Sequence, residues 1–461
     1  TRLRTVTGVQ TCALPIFPQS TSFEDDALMI ARCDVRELAK EFGTPLFVMD
    51  EADFVARAST WKDVLHGAFG KSAGTVYFAA KAFISIEVAK ILNRLGLGID
   101  VCTGGELAVV QAANFPGERI ELHGNNKSEA EIKAAIDYGV KTIVLDSLQE
   151  IERVARIATD SKKIQRVMIR LTPGVEAHTH ESIKTAHEDV KFGFSIASGA
   201  AWEAVLQVKS EASLELVGVH AHIGSQIFVA DGFDTSAERL IGFLAKYRKE
   251  FDSELPELNL GGGYGIAYIE SDNPISAQEM LTRLHSIVER ECSQNSLSIP
   301  HVSIEPGRAI VGPSMVTLYE VGTTKVVKDG AGHDRNYISV DGGMSDNIRP
   351  GLYGAEYSIV LANRKSSAEL INSRVVGKHC ETGDIVINDV KLPGDIQPGD
   401  ILAVPATGAY GRSMASNYNF VGRPPVVLVS DGTARTIVRR ENQSDLLALD
   451  VVEAPRVIGE R

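Results

Sequence analysis

Short runs of apolar and β-branched residues alternate with helix-like stretches from about residue 75 onwards. Each run ends in Gly, Asp, His or Lys, and the stretches between, such as SEAEIKAAIDYG, repeat apolar residues at helical spacing. The runs are TVYFAAK, LGIDVCTGG, IELHGNN, TIVLDS, RVMIRLTPG, LVGVHAHIG, ELNLGGGYG and VSIEPGR. Eight strands that alternate with helices predict an α/β fold, a parallel (β/α)8 barrel of the TIM type rather than an open sheet.

The pattern changes after the last of these runs. Residues 311–461 contain strand-like runs such as MVTLYEVGTTKVVK and DIVINDVKL, separated by Gly, Pro and Asp turns with little helical period. We therefore predict a β-rich, β-barrel-like C-terminal domain at 311–461 and assign 51–310 to the barrel. The segment 18–50, a short amphipathic helix and a strand, could join either domain, and we expect it to pack with the C-terminal one.

The first 17 residues are expected to be a non-native tail. VTGVQTCALPI resembles the translation of a sequencing-library adapter, and the stretch has no apolar region long enough for a secretory signal. We therefore leave residues 1–17, including Cys12, out of the fold prediction.

Composition narrows the class of protein. The chain has 461 residues, with 44% hydrophobic and 23% charged residues, which is typical of a globular protein with more than one domain. A net charge of −13 argues against a nucleic-acid surface, and no apolar run is long enough for a membrane span. The five cysteines lack CxxC spacing, which disfavours a zinc ribbon or a disulfide scaffold. We expect a cytoplasmic protein with small-molecule ligands and no resident metal.

Polar residues collect at the C-terminal ends of the predicted strands. In a (β/α)8 barrel, the loops at that end carry the active site. The residues are Lys81, Asp100, His123, Asn125, His220, His222, Gly261, Gly262, Gly263, Glu305 and Arg308. The pattern therefore locates a candidate site at this face of the barrel.

Lys81 and the triple glycine suggest the chemistry of that site. A lysine just past a strand end can simply extend to water, but such an amine can also form a Schiff base with a cofactor aldehyde. Gly261, Gly262 and Gly263 follow the seventh strand, where barrels often bind phosphate, although a tight turn is an equal alternative. If the phosphate belongs to pyridoxal phosphate, Lys81 is the candidate for its attachment.

Glu305 and His222 fit the same hypothesis. Glu305 could be only a salt-bridge partner of Arg308, but beside pyridoxal phosphate it would pair with the pyridine nitrogen and keep the ring protonated, which makes a stronger electron sink. A lone histidine is more often a satisfied core residue. At the end of the sixth strand, however, the His222 ring could stack on the cofactor while Ser225 contacts the phosphate.

These motifs together resemble a known enzyme family. From about residue 27 to the C-terminus, the chain is similar to the diaminopimelate decarboxylases, which belong to the alanine-racemase-like, fold-type III pyridoxal-phosphate enzymes. The resemblance is carried by YFAAKAF, GIDVCTGGEL, HGNNKS, KFGF, GVHAHIGSQ, LNLGGGYGI, IEPGRAIV, VDGGMSDNIRPGLYGA, CETGD and GAYGRSMASNYN. Some of these motifs are weak singly, but in this order they are highly specific.

The resemblance implies a role for each candidate residue. Lys81 is the Schiff-base lysine, His222 stacks on the ring of pyridoxal 5'-phosphate, and Glu305 partners its nitrogen. Further cofactor contacts are expected from Ser225, Gly261, Gly262, Gly263, Gly307, Arg308 and Tyr410. Contacts with the distal end of the substrate are expected from Arg308, Arg349, Tyr353, Glu381 and Tyr410. The implied reaction converts meso-2,6-diaminopimelate to L-lysine and CO2, the last step of lysine biosynthesis.

The resemblance also implies a homodimer with shared active sites. In the family, the residues that correspond to Cys380 and Glu381 come from the neighbouring subunit, Cys380 as proton donor and Glu381 as ligand of the distal ammonium. A monomer is therefore expected to be nearly inactive.

Other readings of the sequence remain open. The nearest is an ornithine or arginine decarboxylase of the same fold, although Arg349 in NIRPGLY favours a substrate with a second carboxylate. A non-catalytic homologue that regulates a partner is disfavoured because Lys81, His222, Glu305 and Cys380 are all present. The histidines of EAHTHESIKTAHED lack metal-site spacing and are expected in a lid loop. Lys127 in HGNNKS is expected to be a solvated loop residue.

Overall fold

The first described strands belong to the C-terminal part rather than to the barrel, since the strand Leu46–Asp50 is a central strand of the C-terminal sheet. The computed structural model describes residues 16–174, 191–328 and 330–453. Its first elements are β1 (Ser22–Glu24), β2 (Ala27–Ile30), β3 (Cys33–Asp34), α1 (Val35–Phe42), β4 (Leu46–Asp50) and α2 (Glu51–Phe69). Strands β1 to β3 form a small antiparallel sheet. Most of the predicted tail lies outside the described residues, and its last two residues, Ile16 and Phe17, are buried.

The predicted (β/α)8 barrel is confirmed. Among the described residues, eight parallel strands pair in sequence, and the eighth pairs with the first to close the ring. These strands are β5 (Gly74–Ala79), β6 (Gly98–Val101), β7 (Ile120–Leu122), β8 (Thr142–Leu145), β9 (Gln165–Thr172), β11 (Leu214–His220), β12 (Glu257–Asn259) and β13 (His301–Ile304), with the short β10 (Phe194–Ser195) beside β9.

Helices cover the outside of the barrel. They are α3 (Ile86–Leu95), α4 (Gly104–Ala112), α5 (Glu129–Tyr138), α6 (Leu148–Asp160), α7 (Ala200–Ser210), α8 (Asp231–Phe251) and α9 (Ala277–Gln294). A Ser or Thr side chain accepts a backbone N–H at the start of α3, α4, α5, α6 and α9, so the chain turns from strand end to helix at a defined residue. Among the described helices, none combines the length and apolar content needed to cross a membrane.

Outward-facing strand residues and the helices form the main apolar core, whereas the barrel interior is largely polar. Phe78, Ile99 and Val219 belong to the core. Because side chains alternate across a strand, their neighbours point inward. The inward positions include Tyr77, Asp100, Glu121, Asn259 and Ser303, all buried. The separate apolar cluster of Val144, Met168 and Val217 fills another part of the interior.

The C-terminal part is β-rich, as expected. Its elements are α10 (Arg308–Val311), β14 (Met315–Lys328), β15 (Asp334–Val340), α11 (Arg349–Tyr353), β16 (Val360–Leu361), β17 (Leu370–Val376), β18 (Ile385–Pro393), β19 (Ile401–Pro405), β20 (Val426–Ser430), β21 (Thr433–Val438) and α12 (Gln443–Leu447). The sheet order is β18-β17-β15-β14-β4-β20-β21, with β19 paired to β14 and β16. Strand β4 thus hydrogen-bonds to β14 and β20. The exact domain boundaries stay a prediction.

The expectation for Lys127 is wrong. This lysine is only 2% exposed, because its Nζ donates to the carbonyl oxygens of Gly124 (2.5 Å) and Val144 (2.7 Å) and pairs with Glu150 at 2.9 Å. A polar neighbourhood in sequence, HGNNKS, therefore does not imply solvent exposure when the fold supplies acceptors from another strand and helix.

Candidate functional site

A cavity of about 540 Å³ opens at the C-terminal face of the barrel. Residues from the barrel strand ends and from the C-terminal part line it together. Of the predicted site residues, those lining it are Lys81, His222, Ser225, Gly263, Glu305, Gly307, Arg308, Arg349, Tyr353 and Tyr410. The structure therefore brings together residues that are more than 300 positions apart in the chain.

Lys81 projects into this cavity two residues after β5 ends. Partial desolvation in the cavity by itself lowers the pKa of Lys81, but the neighbouring Tyr410, Asp100, Cys102 and Glu305 outweigh it, so the net pKa is raised above its usual value. The amine is therefore an ammonium in the free protein, held beside buried acids. Asp100, on β6, is one of these acids. Burial is the main cause, and the Glu305 carboxylate the second, that raises the pKa of the Asp100 carboxyl well above its usual range.

Two histidines flank the Glu305 carboxylate. Glu305 Oε1 lies 3.1 Å from His220 Nε2 and 3.4 Å from His123 Nε2, and the two imidazole rings meet edge to face at 4.9 Å. Burial lowers the pKa of both histidines. Burial alone would raise the pKa of Glu305, but His123, His220 and Lys81 lower it well below its usual range. Glu305 is therefore an anion at the cavity wall.

The triple glycine after β12 is required by close backbone packing. A Cβ added at Gly261 would lie 2.2 Å from the carbonyl oxygen of Ala221, and one at Gly262 would lie 2.2 Å from that of Glu305. The Gly262 N–H donates to His222 Nδ1 at 3.2 Å. Because Nδ1 accepts a hydrogen bond and burial lowers the pKa of His222, the ring is neutral and carries its proton on Nε2.

Gly262→Ala is expected to weaken cofactor binding by roughly 10- to 100-fold, which corresponds to about 1.4 to 2.8 kcal/mol. The new methyl group must displace the Glu305 backbone and disturb the His222 hydrogen bond. Titration of apoprotein with pyridoxal phosphate, followed by absorbance, measures the effect. Gly242→Ala on α8 is the control, because no atom lies within 4 Å of its added Cβ. Equal affinities in both variants would show that the turn does not shape the site.

Arg308 and Arg349 both line the cavity and contact tyrosines. Arg308 donates to Ser225 Oγ at 2.8 Å and to the Tyr268 hydroxyl at 2.5 Å. Arg349 donates to the Tyr357 hydroxyl and lies 4.6 Å from the centre of the Tyr268 ring. Both guanidinium groups are buried. Among the described residues, neither has a carboxylate at salt-bridge distance, so both are available to an anionic ligand.

Several cavity residues were not identified from the sequence. Tyr268 contacts both arginines, and Asp272 accepts the backbone N–H groups of Tyr268 and Ile269 at 2.8 and 3.1 Å, which fixes this part of the wall. Glu356 also lines the cavity. Tyr268 and Asp272 lie in GYGIAYIESD, which begins at the last glycine of the triple glycine. Their closeness in sequence to this predicted part of the site is the signal from which they could have been identified.

Cys380 and Glu381 do not line the cavity of their own chain. Both are exposed, in the loop between β17 and β18. This loop is anchored by the buried Asp384, whose Oδ2 accepts the His379 backbone N–H and lies 2.8 Å from His379 Nδ1, while its Oδ1 accepts the Met344 N–H. Cys380 is thus presented to the outside on a firmly held loop.

The candidate site fits pyridoxal phosphate. It offers an amine in a cavity, an anionic carboxylate that suits a ring nitrogen, and two glycines, Gly263 and Gly307, in the cavity lining, where a backbone without side chains suits a phosphate. The Glu305 carboxylate is held at the cavity wall by His220 and His123, which flank its Oε1, and it is among the residues that line the cavity.

Comparisons with known proteins agree with this fit. Residues 51–312 match the family of the pyridoxal-dependent decarboxylases, pyridoxal binding domain. The chain is 52% identical to a diaminopimelate decarboxylase of Mycobacterium tuberculosis over 95% of this chain and 98% of that one. It is 43% identical to a diaminopimelate decarboxylase of Bacillus subtilis, over 92% of this chain and 95% of that one. The crystal structure of a diaminopimelate decarboxylase from M. jannaschii superposes on this chain with a TM-score of 0.86 at 30% sequence identity. The superposition covers 95% of this chain and 98% of that one.

Proposed function

The chain belongs to the diaminopimelate decarboxylase family of pyridoxal-phosphate-dependent enzymes, and from that membership we propose that it converts meso-2,6-diaminopimelate to L-lysine and CO2. The enzyme class, a carboxy-lyase that uses pyridoxal phosphate, follows from the family. The substrate, the residue roles, the shared sites and the cytoplasmic location are the proposed part. The division into a tail at 1–17, a segment at 18–50, a barrel at 51–310 and a β-rich domain at 311–461 is proposed with them.

The observation that carries the substrate assignment is the pair of buried arginines. Diaminopimelate has a second amino-acid group at its far end, which ornithine and arginine lack. Arg308 and Arg349 line the cavity, and their described acceptors are hydroxyl groups rather than carboxylates. A guanidinium fork suits a carboxylate. Tyr353, at the end of α11, lines the same wall. We assign this wall to the distal carboxylate of the substrate.

The remaining cavity residues bind and orient the reacting end. When bound, pyridoxal phosphate supplies the electron sink for the electron pair that the departing CO2 leaves behind. Lys81 supplies the amine that anchors the cofactor, and the acids around it hold that amine at one place. The Glu305 carboxylate keeps a proton on the ring nitrogen. The neutral His222 ring is fixed by Gly262 and offers a flat surface for stacking.

Phosphate contacts are assigned to backbone and hydroxyl groups at the neighbouring strand ends. The N–H group of Gly263 and the Ser225 hydroxyl lie after β12 and β11, with Gly307 after β13, whereas the N–H of Gly262 already donates to His222. A Cβ at Gly307 would lie 2.8 Å from that of Ala79, so this turn packs directly against the end of β5. Tyr410, whose N–H donates to the Ala82 carbonyl at 2.9 Å, closes the cavity beside Lys81.

Protonation at the substrate Cα is assigned to a second subunit. A proton donor must come within about 3 Å of the atom it serves, and Cys380 lies outside the cavity of its own chain. We propose a homodimer in which Cys380 of one subunit is the proton donor in the site of the other, with Glu381 beside it as ligand of the distal ammonium.

The first test of the substrate is a decarboxylation assay. Purified, cofactor-loaded protein is expected to release CO2 and lysine from meso-diaminopimelate, with no measurable CO2 from ornithine or arginine. Ornithine and arginine have no second carboxylate, so Arg308 and Arg349 would be left without an anionic partner beside the cationic end of the substrate. CO2 release from ornithine or arginine alone would keep the fold and Lys81 chemistry but overturn the assignment of the distal wall.

Arg349→Met sharpens that test. Loss of the guanidinium should lower kcat/KM for meso-diaminopimelate by roughly 30- to 700-fold, about 2 to 4 kcal/mol, because a buried carboxylate is left unpaired. Arg374→Met is the matched control, since Arg374 also donates to a tyrosine hydroxyl, that of Tyr337 at 3.1 Å, but does not line the cavity. Equal losses in both variants would indicate a stability effect.

A further inference from the structure

Tyr268 contacts both arginines of the wall that we assign to the distal carboxylate. Its hydroxyl accepts from Arg308 Nη1 at 2.5 Å, and the central carbon of the Arg349 guanidinium lies 4.6 Å from the centre of its ring. The Tyr268 side chain is buried and lines the cavity. Two side chains of the same charge therefore contact one neutral residue, one at its hydroxyl group and the other at its ring.

The backbone of Tyr268 is held on both sides. Its N–H donates to Asp272 Oδ2 at 2.8 Å, and its carbonyl oxygen accepts the N–H of Ser358 at 3.0 Å. The Tyr268 ring also meets the Tyr357 ring edge to face, with 5.0 Å between the ring centres. Because the Tyr357 hydroxyl accepts from Arg349, the second arginine is packed into the same group. These contacts fix the place of the Tyr268 ring in the wall.

The other contacts of Arg308 are with neutral groups as well. Its Nη2 donates to Ser225 Oγ at 2.8 Å, and its guanidinium lies 4.7 Å from the centre of the Tyr410 ring. The printed partners of both arginines are thus hydroxyl groups and aromatic rings, which hold a guanidinium in place without neutralising it. The positive charge of the wall stays available to an anion.

A tyrosine at position 268 solves a conflict between two requirements. Arg308 and Arg349 are both buried and contact the same ring, so their charges repel each other. A carboxylate in place of Tyr268 would remove that repulsion, but it would also take the charge and the N–H donors that a ligand carboxylate needs. The tyrosine hydroxyl accepts one hydrogen bond and the ring attracts a cation. Both arginines are therefore held while they remain able to bind a ligand.

We propose that Tyr268 is a positioning residue for the distal carboxylate of the substrate, because it holds Arg308 and Arg349 together so that both guanidinium groups bind that one carboxylate. The proposal rests on the proposed function and deepens it, since it requires that the distal carboxylate binds at this wall. Tyr268 takes no part in the bond that breaks. Its replacement should therefore weaken recognition of the carboxylate and leave binding of the reacting amine unchanged.

L-lysine and cadaverine isolate the contribution of that carboxylate. L-lysine, the product of the proposed reaction, keeps the distal amino-acid group of diaminopimelate, and cadaverine is L-lysine without its carboxyl group. Both present a primary amine to the cofactor. Calorimetry on cofactor-loaded protein gives the dissociation constant of each ligand, and the constant for cadaverine divided by that for L-lysine reports how strongly the wall recognises the carboxylate. The measurement requires no turnover.

Tyr268→Leu should lower this ratio roughly 10- to 100-fold, because L-lysine should bind more weakly while cadaverine binds as it does to the wild type. Tyr268→Phe keeps the ring beside Arg349 and removes the acceptor of Arg308, so a smaller fall of about 3- to 10-fold is expected. If Tyr268→Leu does not fold, Tyr268→Phe decides the question, and an unchanged ratio in that variant would overturn the proposal.

Tyr337→Leu is the matched control. The Tyr337 hydroxyl accepts from Arg374 at 3.1 Å, and its ring centre lies 5.6 Å from the Arg374 guanidinium, but Tyr337 does not line the cavity. This variant should keep the wild-type ratio. If Tyr268→Leu binds both ligands more weakly by the same factor, the residue only shapes the cavity and the proposal is wrong.

Arg349→Met distinguishes a failure of this inference from a failure of the proposed function. If the wild type prefers L-lysine, and Arg349→Met loses that preference while Tyr268→Leu keeps it, the arginine wall stands and Tyr268 is not its positioning residue. If the wild type binds L-lysine and cadaverine with equal affinity, the wall does not recognise a carboxylate. The proposed function then loses its distal subsite, and the role of Tyr268 is refuted with it.

Discussion

Lys81→Ala is expected to lower kcat by at least roughly 10⁴-fold, the largest effect of any single substitution in this chain. Of the described residues that line the cavity, Lys81 is the only primary amine. The backbone beside it is held in place by the C-terminal part, since Tyr410 N–H and Ser413 Oγ both donate to the carbonyl of Ala82 at 2.9 Å. Removal of the amine therefore leaves the cavity intact but without its anchoring group.

Borohydride reduction followed by mass spectrometry of peptides provides a direct measurement. Reduction should attach the cofactor to the Lys81 peptide in the wild type and to none in Lys81→Ala. Lys90→Ala, an exposed lysine on α3, is the control and should match the wild type in both rate and labelling. Labelling of a different lysine in the wild type would remove Lys81 from its assigned role. Unchanged biological activity of Lys81→Ala despite the loss of decarboxylation would revive a non-catalytic function.

Strand ends made the barrel and much of the candidate site predictable. Lys81, His222, the triple glycine and Glu305 each follow directly on an apolar run. Because parallel strands in a barrel share one C-terminal face, their positions in sequence determine that they meet. Arg349 and Tyr410 were predicted as site residues from the family resemblance alone. The alternation of apolar and polar residues in the C-terminal strands does not indicate that α11 and the loop after β19 cover the barrel mouth.

Contacts between distant side chains could not be read from the sequence. Lys127 was expected in solvent because its neighbours are polar, yet its partners come from β8 and α6. Glu121 lies in the three-residue strand IEL. From the sequence of so short a strand, a glutamate that points into the barrel cannot be distinguished from one that points to solvent. Partners of this kind depend on register and closure, which are set by the packing of the whole barrel.

Cys380→Ala is expected to lower kcat by roughly 10²- to 10³-fold, the loss typical of a general acid. The thiol is assigned to proton delivery at the substrate Cα, a step that water can perform only slowly in a closed cavity. Cys292→Ala is the control, because Cys292 is a buried core thiol on α9 away from the cavity. Measurement of kcat for both variants, with the fraction of bound cofactor determined in each, separates a catalytic loss from a loss of cofactor.

Mixing the inactive variants tests whether Cys380 acts across a subunit interface. In a dimer of Lys81→Ala with Cys380→Ala, one site combines the intact Lys81 of one chain with the intact Cys380 of the other. Random reassociation gives half mixed dimers, each with one working site, so about one-quarter of the wild-type activity should return. If each site is built within a single chain, every mixed dimer carries a defect in both sites and no activity returns. Since Cys380 is exposed and outside its own cavity, we expect recovery, and its absence would overturn the shared site while leaving the Lys81 assignment in place.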